Sequence, residues 1–389
     1  MGQQPEAIAI VGGRVVLPDG VLEDGVLLVE GGLVAACGPA AQVSLPASAR
    51  RVDAQGLYVG PGLIDMHCHG GGGVWAWEDP YRMALAHLRC GTTGILPTMV
   101  YNQSEAELLE GVRRVLNVGT QPYSAAILGI HMEGPYINAK YGAVTAPIRP
   151  VNPAEYERLL ALAGARIKLW TLAPELEGQR AFAEAAAAHG ITLSVGHSEA
   201  TPEAIYDLVP LGLRVGCHCT NASGATPSPS RYGGTREVGV DEAVLVHDEI
   251  YAEVIPDQEG VHVRPLMCRL ILKTKGVDRV VVITDALREA SGDERESDVI
   301  VVEGVGLSGS RLTMNRALRN MGRHTGATLP ELFKMGSLNP ARVLGLSGEL
   351  GSLEPGKRAN VVLVTPELDV RRVMLDGRFV TGIEAAPAP

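Results

Sequence analysis

Eight apolar runs recur through the middle of this chain, at 57–67, 93–100, 125–133, 167–173, 191–197, 214–219, 250–256 and 279–285. Each has the length of a strand, and helix-forming segments lie between them. The helices carry end signals. Asp79-Pro80 opens one that Gly91 closes, and Asn152-Pro153 opens another that Gly164 closes. Thr201-Pro202 opens a third, and the alanine-rich stretch 179–189 stops at Gly190. Strand–helix alternation repeated eight times predicts an α/β fold, a (β/α)8 TIM-like barrel. An open doubly wound sheet is the competing architecture. No G-x-G-x-x-G follows a strand, which weakens its nucleotide-binding version.

The two ends of the chain resemble each other. Short β segments are expected at 7–16, 25–30, 33–38 and 50–54, and again at 360–365, 370–375 and 378–381. Asp376-Gly377 makes the last pair a hairpin. Neither set can bury a sheet face alone. They are therefore expected to meet in one small β-sandwich domain, 1–57 with 349–389, around a catalytic barrel spanning 58–348. The segment 299–313 reads as an inserted hairpin.

Polar residues gather at the ends of the predicted strands. His67 and His69 end the first run, His131 and Glu133 the third, His197 the fifth, His218 the sixth and Asp285 the eighth. Strand side chains alternate, so His67 and His69 share a face and can reach one metal ion. Taken alone, the pair also fits two solvated loop histidines. The set is harder to explain as core, because each buried polar group needs a partner and a metal would supply it. Cys217 and Cys219 flank His218; if His218 points inward, alternation turns both cysteines toward the helices, against a cysteine-bearing metal site. Lys168 lies far from its strand's end and reads as a barrel-bottom or surface residue. Trp75 and Trp77 are expected to pack, with a place on a sugar pocket as the alternative.

The net charge of −10 argues against nucleic acid as a partner. No apolar stretch is long enough for a membrane span. No basic region followed by an apolar run suggests a signal peptide. The six cysteines form no C-x-x-C and read as free thiols of a reducing cytoplasm.

The chain resembles the amidohydrolase superfamily, and within it the N-acetylglucosamine-6-phosphate deacetylase family. The resemblance rests on Pro61-Gly62-Leu63-Ile64-Asp65 with His67 and His69, on His131-Met132-Glu133-Gly134-Pro135, and on Gly196-His197-Ser198. It continues through His218 with Asn221-Ala222, Thr284-Asp285-Ala286, Leu307-Ser308-Gly309-Ser310, Asn339-Pro340-Ala341-Arg342 and 356–360. It implies Glu133, His197 and His218 as ligands of a main divalent metal, with His67 and His69 holding a second. It implies Asp285 as general base and then acid, and His262 as the group that polarises the acetyl carbonyl. Asn221, Ala222, Leu307, Ser308 and Gly309 would contact the sugar or its phosphate. Arg231 would serve the phosphate, reaching a neighbouring subunit of a homodimer. Zinc is the metal first expected, with Fe, Mn or Co also suited to these ligands.

Three departures from the family pattern fall in the substrate shell. Val144 stands where the family has a histidine. Two extra residues separate Asn221 from Arg231, and Gln258-Glu259 are added before His262. The expected reaction is removal of acetyl from N-acetylglucosamine 6-phosphate or a close N-acetylhexosamine phosphate. An amidohydrolase for another N-acyl substrate, such as an unphosphorylated sugar, an N-acyl amino acid or a cyclic imide, is the alternative. A binding protein without catalysis is the third.

Overall fold

The computed structural model describes residues 7–143, 148–227, 229–293, 296–304 and 306–382. Val144 and the chain's last residues, 383–389, lie outside them. The eight predicted runs yield eight parallel strands: Leu63–Cys68, Thr92–Met99, Ile130–Glu133, Ile167–Leu172, Thr192–Val195, Leu213–Gly216, Tyr251–Val254 and Val280–Val282. Each pairs with its neighbour in sequence. Beyond strand eight, Ala286 bridges Cys68, and Asp285 donates its N–H to the His67 carbonyl at 2.9 Å. Asp65, fully buried, accepts from both the N–H and the hydroxyl of Thr284. These bonds draw the last strand against the first and give the barrel of the predicted (β/α)8 fold.

The helices begin where the caps foretell. Asp79 accepts from the Arg82 N–H ahead of Pro80–Arg89, and Asn152 from the Ala154 N–H ahead of Pro153–Ala163. Thr201 does the same for Pro202–Tyr206. Each cap satisfies an otherwise orphaned donor. The core cluster of the barrel runs from Ile64 and Leu96 through Leu169, Leu193 and Val215 to Val281.

The run 57–67, continuous in sequence, is divided between two sheets. Tyr58–Pro61 pairs with Val361–Val364 and with Arg14 and Val15, in the terminal sheet. Leu63–Cys68 belongs to the barrel. Gly62 makes the transfer: a Cβ there would lie 2.0 Å from Thr93 Oγ1. The terminal sheet has eight strands drawn from both chain ends. Its own core includes Ile10, Val15, Leu27, Val361 and Met374. The predicted insertion is a hairpin, Val299–Val302 with Gly306–Ser310. It is bonded to the end of strand eight, Ser310 N–H donating to the Asp285 carbonyl at 2.8 Å. Gly309 has φ +39°, and a Cβ there would approach that same carbonyl to 2.7 Å, so only glycine fits.

Candidate active site

The strand ends converge as the sequence implies. Glu133 is central. Its Oε1 lies 2.8 Å from His197 Nε2, 3.3 Å from His218 Nε2 and 3.6 Å from His67 Nε2. Its Oε2 lies 3.3 Å from His69 Nε2. Asp285 Oδ1 completes the group, 3.3 Å from His69 Nε2 and 3.7 Å from His67 Nε2. All five side chains around Asp285 are buried. His218 and Asp285 reach it from strained backbone, φ +22° and +50°.

The donor chemistry fits a divalent cation. His69 Nδ1 faces the Thr98 carbonyl at 3.3 Å, His218 Nδ1 the Asn221 carbonyl at 3.2 Å, and His67 Nδ1 the Glu253 carboxylate at 3.3 Å. An Nδ1–H that donates to these oxygens leaves Nε2 with a lone pair, the form a metal binds. His197 Nε2 and His218 Nε2 then face each other at 3.2 Å, and His67 Nε2 is buried without a hydrogen-bond partner. Two ligating groups overlap here, His67, Glu133, Cys217 and His218, and His67, His69 and Asp285, with ligand atoms within 4.8 Å of one another.

Electrostatics reflect the same demand for positive charge. Burial alone would raise the carboxyls of Asp285 and Glu133, yet the surrounding imidazoles hold both well below the usual range. Burial would lower His69 and His218, but bonds to Asp285 and Glu133 push His69 up to about 10 and those to Glu133 push His218 up to about 9. At His197 burial prevails and lowers it.

A cavity of about 530 Å³ opens above this cluster. His69, Glu133, His197, His218 and Asp285 are exposed to it. So are Asn221, Ala222, His262, Leu307, Ser308 and Gly309. His262 Nδ1 lies 3.1 Å from the Asp257 carboxylate and its Nε2 3.0 Å from the Gly309 carbonyl. The added Gln258-Glu259 do not break that arrangement. Asp257 spans the longer loop and accepts from the N–H of Val261 and His262, while Gln258 donates to Asp298. Asn221 donates to the His262 carbonyl at 3.0 Å. Arg231 does not line the cavity; it is exposed, and its N–H is bonded to Glu237. His131 lies beneath, held between Thr171 and Thr98.

Two expectations need correction. Cys217 does not turn toward the helices: its Sγ lies 3.9 Å from His67 Nδ1. Strand six ends at Gly216, and the left-handed backbone at His218 breaks the alternation on which the expectation rested. Cys219 does pack outward, against Gly216 and beside Val244. Trp77 packs against the barrel core as expected while also lining the cavity, whereas Trp75 lies on the cavity wall outside that core. Sequence reasoning missed Glu253 and Asp257. Glu253, fully buried on strand seven, also accepts from the His218 N–H at 3.1 Å. A lone carboxylate inside an apolar strand was the available signal.

Residues 58–380 match the amidohydrolase family model. The chain belongs to the amidohydrolase family. It is 32% identical to N-acetylgalactosamine-6-phosphate deacetylase of Escherichia coli O157:H7, over 95% of this chain and 98% of the relative. It is also 32% identical to N-acetylglucosamine-6-phosphate deacetylase of Lysinibacillus sphaericus, over 88% and 91%. The crystal structure of the Pasteurella multocida N-acetylglucosamine-6-phosphate deacetylase superposes with a TM-score of 0.83 at 28% identity, covering 96% and 99% of the two chains. Among the described residues no helix is long and apolar enough to cross a membrane.

Proposed function

We propose that this amidohydrolase removes the acetyl group from an N-acetylhexosamine 6-phosphate, giving acetate and the amino sugar phosphate. The observation that carries the reading is the pair Glu133 and Asp285, set among four imidazole Nε2 atoms on the floor of the cavity. Relatives named for both the gluco and the galacto substrate support the substrate class. In this reading Glu133, His197 and His218 hold one divalent ion, zinc first, and His67 and His69 hold a second beside Asp285. A cation held there supplies Lewis-acid charge and brings the pKa of a water toward ~7. Asp285 accepts a proton from the attacking water as the water's oxygen bonds to the acyl carbon, then gives the proton to the nitrogen as the C–N bond breaks. His262 turns its Nε2–H from the Gly309 carbonyl to the oxygen on which charge develops.

The phosphate is assigned to Arg231 of a second copy in a homodimer, since this arginine lies exposed outside its own cavity. Cys37, Cys68, Cys217, Cys219 and Cys268, none of them in a disulfide, support a reducing, cytoplasmic setting. Acetate release from N-acetylglucosamine 6-phosphate and N-acetylgalactosamine 6-phosphate, each with its unphosphorylated counterpart, tests the reading. Turnover of a phosphorylated sugar is expected, and turnover of none of the four overturns it. One observation favours the unphosphorylated sugar as second reading: no Lys or Arg is among the described residues lining the cavity.

A further inference from the structure

Two of this chain's three tryptophans face the cavity. The third, Trp170, is buried, its indole N–H bonded to the Gly134 carbonyl. Trp75 and Trp77 stack with centroids 5.0 Å apart and planes 7° from parallel. Between them Ala76 donates its N–H to the carbonyl of His69 at 2.8 Å, so the pair borders the metal-binding floor. The segment is tied down on its other side as well. Gly70 and Gly71 pair with Trp75 and Val74, and Gly73 donates to the Arg288 carbonyl at 2.8 Å.

The two rings are not equivalent. Trp77 is an anchor: its Cβ fits against Gly111, where any side chain would intrude to 2.9 Å, and its carbonyl accepts from Arg114. Trp75 has no such packing role. It is half-buried, held flat by the ring behind it. A large apolar ring left partly in water within a concave polar site is unfavourable for folding alone. It is favourable where a ligand covers it. With no cationic side chain among the described residues of the wall, this apolar surface is the more important source of affinity.

We propose that Trp75, braced by Trp77, is the platform on which the pyranose ring of the substrate stacks, and that it sets specificity for a hexopyranose presenting a C–H face to the indole. The inference rests on the reading of the cavity as an amino-sugar site. Its test combines kinetics on the two N-acetylhexosamine 6-phosphates with tryptophan fluorescence titrated with glucosamine 6-phosphate, in wild type, Trp75→Ala and Trp75→Tyr. Trp75→Ala is expected to raise KM about fivefold to tenfold, leave kcat within about twofold and retain wild-type metal content. Trp75→Tyr regains most of the loss. The sugar phosphate quenches wild-type fluorescence saturably and leaves that of Trp75→Ala unchanged.

An unchanged KM in Trp75→Ala overturns the inference while turnover by the wild type upholds the reaction. A raised KM accompanied by metal loss, or not rescued by tyrosine, also overturns it, because the hairpin would then act only by supporting His69. Saturable quenching without turnover of any N-acetyl sugar sinks the reaction and leaves the stacking site standing. Neither quenching nor turnover removes both.

Discussion

Asp285 sits where one residue decides between chemistry and binding. Its carboxylate touches both first-strand imidazoles, and its backbone is held in a strained conformation by bonds to His67 and Ser310. Asp285→Asn keeps size and backbone but cannot take a proton. We expect it to retain metal and to lose at least ~10²-fold in kcat; near-normal turnover would remove Asp285 from the proton path. Glu253 acts at one remove, through its hold on His67 Nδ1 and the His218 N–H. Glu253→Ala is expected to weaken metal binding ~10- to 100-fold. Glu253→Gln, whose amide oxygen can still accept both bonds, should fall between it and wild type. Equal metal retention on dialysis in all three would make Glu253 a packing residue.

At the scale of elements, the first strand and the inserted hairpin each carry a separable part of the site. Replacing both His67 and His69 with Ala should remove one equivalent of metal, leaving the other to Glu133, His197 and His218. Loss of both equivalents would misplace the main site. The hairpin reaches the chemistry through Gly309, bonded to His262 and pressed against Asp285. Gly309→Ala is expected to cost about 1–3 kcal/mol of stability and to raise KM more than it lowers kcat. An unchanged KM would detach the hairpin from the substrate.

Much of this is legible because elements announce themselves by period and by caps, and the candidate ligands sit at strand ends. What was not legible depended on geometry beyond the strand. The run 57–67 gave no sign of its division, since both sheets bury apolar residues equally well. The third apolar run starts at 125, but its strand begins at Ile130, after a short 3-10 turn at Ser124–Ala126. Cys217 was misdirected because alternation ends at Gly216. Glu253 lies inside its strand rather than at its end, and it contacts the candidate ligands His67 and His218 instead of facing the cavity.

For the whole molecule, the buried charge cluster makes stability depend on pH in a way that a bound ion should change. In the metal-free chain His69 and His218 bind protons more tightly folded than unfolded, at about 10 and about 9 against an ordinary 6.5. Their contribution is therefore complete below pH 6.5 and is lost as pH rises through about 9 and then about 10. Glu133 and Asp285, held below their ordinary 4.5 and 3.8, contribute above those values and lose their contribution in acid. His197 and His131, both lowered by burial, contribute above pH 6.5 and lose their contribution below it, so the metal-free protein should be most stable near pH 6.5. A divalent ion bound as proposed would take the place of the imidazole protons against the two carboxylates, so its binding should release protons and strengthen as pH rises. Thermal unfolding of chelator-treated and metal-reloaded protein from pH 6.5 to 10 measures the difference. Tm of the metal-free form should fall across that range while Tm of the loaded form stays level, so that the gap widens with pH. A gap of constant size would mean that the ion does not displace these protons, and that the imidazoles of His69 and His218 are not where it binds.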